Sequence, residues 1–120
     1  MPYTSDDDLP SISDEAMRQG LASTRPYTVL ILKAGPNIAM PDVQKVIWEH
    51  GRRNFALRAA GLLPIVCPIG DGSGVTGIGI FSGDVEEVRR IYENDPGVKA
   101  GVFTFEVHPS RSFPGDCLPG

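Results

Sequence analysis

His50 and Asn54 stand four residues apart in a segment whose neighbours on that side are apolar. Four residues is one helical turn, so the two side chains share a face. A histidine gains and loses charge near neutral pH, which suits it to proton transfer. A polar pair on an apolar face must find partners or open onto a pocket. His50 is therefore either a satisfied core histidine that fixes helix packing or a general acid or base whose readiness to take a proton is set by partial burial. Two acids could serve it. Asp95 precedes Pro96, where it can end a helix by accepting backbone N–H bonds or can orient a histidine. Asp71 has the same two readings, a turn former or an acid. In the functional reading, His50 works with Asp95 or Asp71, and Asn54 binds substrate. Trp48, Phe55 and Tyr92 then supply apolar wall. The reaction class is isomerisation or elimination by proton movement.

Other chemistries are less well supported. No serine occupies an elbow context, so a Ser-His-Asp triad is set aside. No HExxH occurs, and His108 is remote and adjoins Pro109, so no metal is expected. Gly72 to Gly77 fits G-x-G-x-x-G, but the chain continues as Ile78-Gly79-Ile80-Phe81, a strand pattern. A dinucleotide fingerprint needs its last glycine to open a helix. The segment reads instead as a hairpin turn, and no cofactor is expected. Gly77 and Gly79 share one strand face, which leaves room for a helix or a ligand. Cys67 lies in an apolar run and reads as a buried small hydrophobe, while Cys117 sits in a Pro/Gly-rich tail.

These residues need elements to hold them. Tyr27–Lys33 (YTVLILK) reads as a first strand, with apolar residues on both faces. Asp42–Ala60 carries Val43, Val46, Ile47, His50, Asn54 and Leu57 on one helical stripe, and Gly61 stops it. Trp48 and Phe55 lie on a flank of that helix and suggest a second contact surface, for a partner subunit or for the N-terminal segment. Leu62–Ile69 is a second strand, placed at an edge by Pro64 and Pro68. Thr76–Phe81 is a third, forming a hairpin with the second. Ser82-Gly83-Asp84 caps a helix over Val85–Asn94, Asp95-Pro96-Gly97 ends it, and Val102–His108 is a fourth strand. The order β-α-β-β-α-β is a split βαβ. It predicts an α+β, ferredoxin-like domain: a four-stranded antiparallel sheet with two helices on one face. The other face, expected to carry large residues from strands one and four, would be buried against a second copy as a dimeric α/β barrel.

At 120 residues with 41% hydrophobic content, one domain is expected. It would cover residues 26–109. Residues 1–25 read as an extension, with a mobile acidic start and a short helix over Ser11–Thr24 capped by Ser11 or Ser13. Residues 110–120 read as a Pro/Gly-rich tail. The formal charge of -4 lies within the first twenty residues, where five acids face Arg18 alone. The rest is neutral, which argues against nucleic-acid binding. No apolar run reaches the ~18 residues of a membrane helix, and no leader pattern is seen, so a cytoplasmic protein is expected.

His50, Phe55, Leu57, Gly61, Leu62-Leu63, Pro68 and Asp71, followed by Asp95-Pro96, Val98, Ala100-Gly101 and Glu106-Val107-His108-Pro109, form an ordered pattern. It resembles that of the YciI-like (YCII-related) proteins of the dimeric α/β-barrel group, over roughly residues 26–112. The resemblance implies a ferredoxin-like monomer, a homodimer with facing sheets, and a site built on a histidine and an aspartate. Here these are His50 with Asp95 or Asp71. It further implies small-molecule chemistry without a cofactor, of the lyase, dehalogenating or isomerase kind, or else non-catalytic metabolite binding or an accessory role. The chain departs from the pattern in its N-terminal extension, its Cys67-Pro68 in place of Gly-Pro, and its longer tail.

Overall fold

The computed structural model describes residues 2–120. After a 3-10 turn at Asp6–Asp8 the elements are α1 (Asp14–Ala22), β1 (Arg25–Ala34), α2 (Val43–Ala59), β2 (Ile65–Pro68), β3 (Val75–Phe81), α3 (Val85–Glu93), α4 (Pro96–Lys99) and β4 (Phe103–Ser112). The four strands form one sheet in the order β2-β3-β1-β4, the ferredoxin-like α+β arrangement. β2 pairs only with β3 and lies at an edge, where Pro68 gives up no ladder bond that a central strand would need. β4, the other edge strand, runs on through Pro109 to Ser112.

Register sorts the side chains. Thr28 faces Phe81, Leu30 faces Gly79, and Leu32 faces Gly77. Opposed residues share a face, and this face is the one buried under the helices: Leu30, Leu32 and Phe81 belong to the core with Leu57 of α2, and Val88 and Tyr92 of α3. Each such side chain contributes about 1.5–3 kcal/mol by leaving water. Thr28 is polar on this face, and its hydroxyl is satisfied by donating to the Gly83 carbonyl at 2.7 Å.

The opposite face departs from expectation. Its apolar residues include Val29 and Ile31 of β1, Ile65 of β2, and Ile78 and Ile80 of β3, and Ile78 is exposed. β4 does not add to them. Phe103, Phe105 and Val107 alternate toward the core, so Thr104, Glu106 and His108 take the other side. There Glu106 receives Lys33 Nζ at 3.2 Å and lies 3.5 Å from His108. Cys67 also differs from the sequence reading. It is paired with Ile78 of β3, so it lies on the sheet face that the helices leave uncovered, and it is exposed.

The helices follow from their ends. Asp84 caps α3 by accepting the Glu87 N–H at 2.9 Å. Gly61 stops α2 with φ +77°, a conformation that costs glycine nothing. Asp95 was expected to end a helix, and it also begins one. It caps the single turn α4, which delivers the chain to β4.

The chain divides into two compact units, Pro26–Arg111 and a smaller one that ends at Arg25 and resumes over Ser112–Gly120. In the smaller unit Ser13, not Ser11, caps α1 by accepting the Ala16 N–H at 3.1 Å, and α1 buries none of its residues.

Two glycines test this packing. A Cβ on Gly97 would sit 2.5 Å from the Phe103 ring, whereas one on Gly51 of α2 meets nothing within 4 Å. Gly97→Ala is expected to lose about 1–3 kcal/mol to overpacking. Gly51→Ala is expected to gain about 0.5–1 kcal/mol from the helix backbone. Urea unfolding midpoints of the two variants should therefore move in opposite directions.

Candidate functional site

Asp95 has no solvent exposure. A carboxylate in that position needs its lone pairs filled by the chain. Two donors come from its own cap: Gly97 N–H at 2.9 Å and Val98 N–H at 3.1 Å, both to Oδ2. The third comes from α2. His50 Nδ1 lies 2.9 Å from Oδ1 and 3.0 Å from Oδ2. Arg53 Nη1 stands 4.0 Å from Oδ1, close enough for charge attraction and too far for a hydrogen bond. That nitrogen is buried and has no hydrogen-bond partner among the described residues.

Beyond the imidazole the chain of bonds continues. Asn54 Nδ2 reaches His50 Nε2 at 3.3 Å, and the Tyr92 hydroxyl donates to Asn54 Oδ1 at 2.7 Å. Burial, with the nearby Asp95 charge as the next cause, holds the Tyr92 phenol well above its ordinary ionisation range; the Asn54 bond and Arg53 pull the other way and lose. The phenol is thus a proton donor at any physiological pH. That fixes Asn54 Oδ1 toward Tyr92 and Nδ2 toward the histidine. The neutral imidazole must then carry its proton on Nδ1, given to Asp95, and a lone pair on Nε2. The direction of every bond follows from the two ends of the chain.

The histidine ring is packed as well as bonded. The Phe103 ring lies 4.6 Å away, tilted by 48°, and Tyr92 meets it edge-on at 6.3 Å. His50 is 8% exposed and lines a cavity of ≈ 240 Å³ between α2 and the sheet. The walls are Leu30, Leu32, Ile47, Leu63, Phe55 and Phe103, and the polar floor is His50, Asn54 and Tyr92. The two glycines behave differently. Leu63 already fills the space over Gly79, 2.9 Å from where a Cβ would lie. At Gly77, which also lines the cavity, a Cβ would meet only ordinary contacts, with the Cys67 carbonyl at 3.4 Å and Leu32 Cβ at 3.9 Å.

Of the residues singled out in the sequence, the fold unites His50, Asn54, Tyr92 and Asp95 in one bonded chain, and puts Phe55 on the cavity wall. Two stand elsewhere. Asp71 does not reach His50. It lies in the exposed β2–β3 turn, where its carboxylate accepts the Ser73 N–H at 3.0 Å. Hydrogen bonds from Ser73, side chain first and then backbone, hold that carboxyl below its usual range. Trp48 is 70% exposed on the outer flank of α2 and is not among the cavity residues. Phe103, Arg53 and the Gly97 and Val98 amides were missed. The amides were foreshadowed by the Asp-Pro helix-cap signal; nothing local marked Phe103, which reaches His50 only through the sheet.

No protein-family profile matches the chain, and no curated protein matches it in sequence. Among solved structures it is similar to 5-chloro-2-hydroxyhydroquinone dehydrochlorinase (TftG) from Burkholderia phenoliruptrix AC1100 in complex with 2,5-dihydroxybenzoquinone. The identity is 21% and the TM-score 0.49, over 68% of this chain and 90% of that one. At that identity and TM-score the likeness does not extend to substrate or mechanism, and the ferredoxin-like assignment rests on the strand order.

The buried phenol gives a pH prediction. Its folded-state ionisation is raised above the unfolded value of about 10. Its stabilising share is therefore complete below about pH 10 and lost as pH rises beyond it. Alkaline titration at the tyrosinate absorbance band should show one tyrosine that ionises only with unfolding. Tyr92→Phe should abolish that coupled step and cost about 1–3 kcal/mol by stranding Asn54 Oδ1.

Proposed function

We propose that the chain is a YciI-like protein that moves protons on small, largely apolar molecules without a cofactor. His50 is the acid or base and acts at Nε2, beside the cavity. Asp95 holds Nδ1–H and stabilises the imidazolium formed when Nε2 takes a proton. Asn54 occupies Nε2 at rest through a bond at the long end of the normal range, which a substrate can displace. Tyr92 anchors Asn54 in that posture. Phe55 and Phe103 supply aromatic wall, in a cavity suited to a compound smaller than a typical drug. A water-poor cavity strengthens the electrostatic interaction between imidazolium and carboxylate. The observation that carries the reading is the bond chain from Asp95 through His50 and Asn54 to Tyr92, built on a histidine that lines an apolar cavity.

A second reading has one observation behind it. Asn54 completes the hydrogen bonding of His50, so the network is also a finished piece of core. In that reading the cavity binds a metabolite and the dimer is an accessory protein.

The Asp95→Asn variant separates the two. An amide can still accept from Gly97 and Val98, but it turns an NH2 toward His50 and drives the ring proton to Nε2. For a catalyst, hydrogen–deuterium exchange at acidic C–H positions of small cyclic ketones should fall by roughly 10⁴, as wrong-tautomer histidines do. His50→Gln should abolish it. Exchange that persists in both variants, or that the wild type never shows, rejects proton transfer and leaves the binding reading.

We also infer a homodimer with facing sheets, supported by Val29, Ile31, Ile78 and Ile80 on the uncovered face. Ile78→Glu should turn the dimer into a monomer in sedimentation velocity. A wild-type monomer at micromolar concentration contradicts this assembly.

A further inference from the structure

Thr76 is the extra residue of a bulge. Leu32 of β1 pairs with Gly77, yet the next residue, Lys33, pairs with Val75, so β3 spends one residue more than β1. A bulged residue loses its partner across the ladder, and its side chain is re-aimed. Here Thr76 becomes part of the wall of the His50 cavity. Its hydroxyl oxygen is buried and has no hydrogen-bond partner among the described residues. The backbone around it is in order, since the Thr76 carbonyl accepts the Ile69 N–H at 2.9 Å. An unpaired buried hydroxyl costs about 1–3 kcal/mol, so a threonine at this bulge calls for a partner that the chain does not supply.

We propose that Thr76 is a ligand-binding residue whose hydroxyl donates to a carbonyl oxygen of the molecule held in the His50 cavity. The substrate class is then a compact, largely apolar ketone with an acidic C–H next to its carbonyl. This rests on the proton-transfer reading of the same cavity. In the step, the C–H bond breaks and its proton goes to His50 Nε2. The electron pair forms a carbon–carbon double bond and moves the carbonyl pair onto oxygen. The resulting enolate oxygen accepts a stronger bond from Thr76 than the ketone did. Return of a proton from the imidazolium restores the ketone or its isomer.

The test pairs acetophenone with α-methylstyrene, which has a =CH2 in place of the carbonyl oxygen. Both are titrated into wild type, Thr76→Val, Thr76→Ser and His50→Gln, following backbone amides by NMR. Wild type and Thr76→Ser are expected to bind the ketone about fivefold tighter than the alkene, in line with one net hydrogen bond. Thr76→Val should close that gap, and its ligand-free melting temperature should rise by roughly 4 °C as the unpaired hydroxyl goes. His50→Gln should keep the ketone preference while losing deuterium exchange into the acetophenone methyl group. A ketone preference that survives in Thr76→Val overturns the assignment, as does a wild type that binds neither probe or both equally. A preference that depends on Thr76 without any exchange upholds the Thr76 contact and rejects proton transfer by His50.

Discussion

Asp95 is cut off from water, and a buried carboxylate tolerates no shortage of donors. Three groups from two parts of the chain meet that demand: the amides of Gly97 and Val98, and the Nδ1–H of His50. The consequences spread outward. Because the cap must form, Pro96–Lys99 coils into α4 and sets the entry to β4. Because His50 must reach the carboxylate, α2 is fixed in rotation over the sheet. The same contact has a structural and a chemical side. Removing one partner of such a buried pair typically costs 3–5 kcal/mol, since it strands the other.

The cavity is a by-product of how the sheet face is filled. Large residues cover the helix-facing side at Leu30, Leu32, Phe81 and Phe103, and Leu63 closes over Gly79. Gly77 contributes no side chain, and the bulge beside it puts Thr76 where a paired strand would have put nothing useful. The outcome is an apolar space with hydrogen-bonding groups at only a few points. Such a space discriminates by shape and by the few polar contacts a guest can satisfy.

The elements were largely legible because their signals are local. The helical stripe from Val43 to Leu57, the Gly61 stop and the edge prolines each act over a few residues. The pairing of His50 with Asp95 was legible only as one of two options, because Asp71 has the same Asp-in-a-turn chemistry. What separates them is the cap: Pro96 commits Asp95 to a buried turn, whereas Asp71 sits in a solvated loop. The side taken by β4 was misread. Alternation alone does not say which face is inward, and Phe103 and Phe105 turn toward the helices. Cys67 was misread since an apolar run on an edge strand leaves one face in water. The bulge at Thr76 has no sequence signature beyond a glycine-rich strand.

The central claim is the orientation of the His50 proton, and long-range 1H–15N correlation NMR of the imidazole reads it directly. At a pH where the ring is neutral, the account predicts a protonated Nδ1 and a bare Nε2, with the Nε2 resonance shifting when a guest enters the cavity. A neutral ring with its proton on Nε2 would contradict it, since Asp95 would then have no hydrogen-bond donor from α2 and the lone pair would be turned toward the carboxylate instead of toward Asn54.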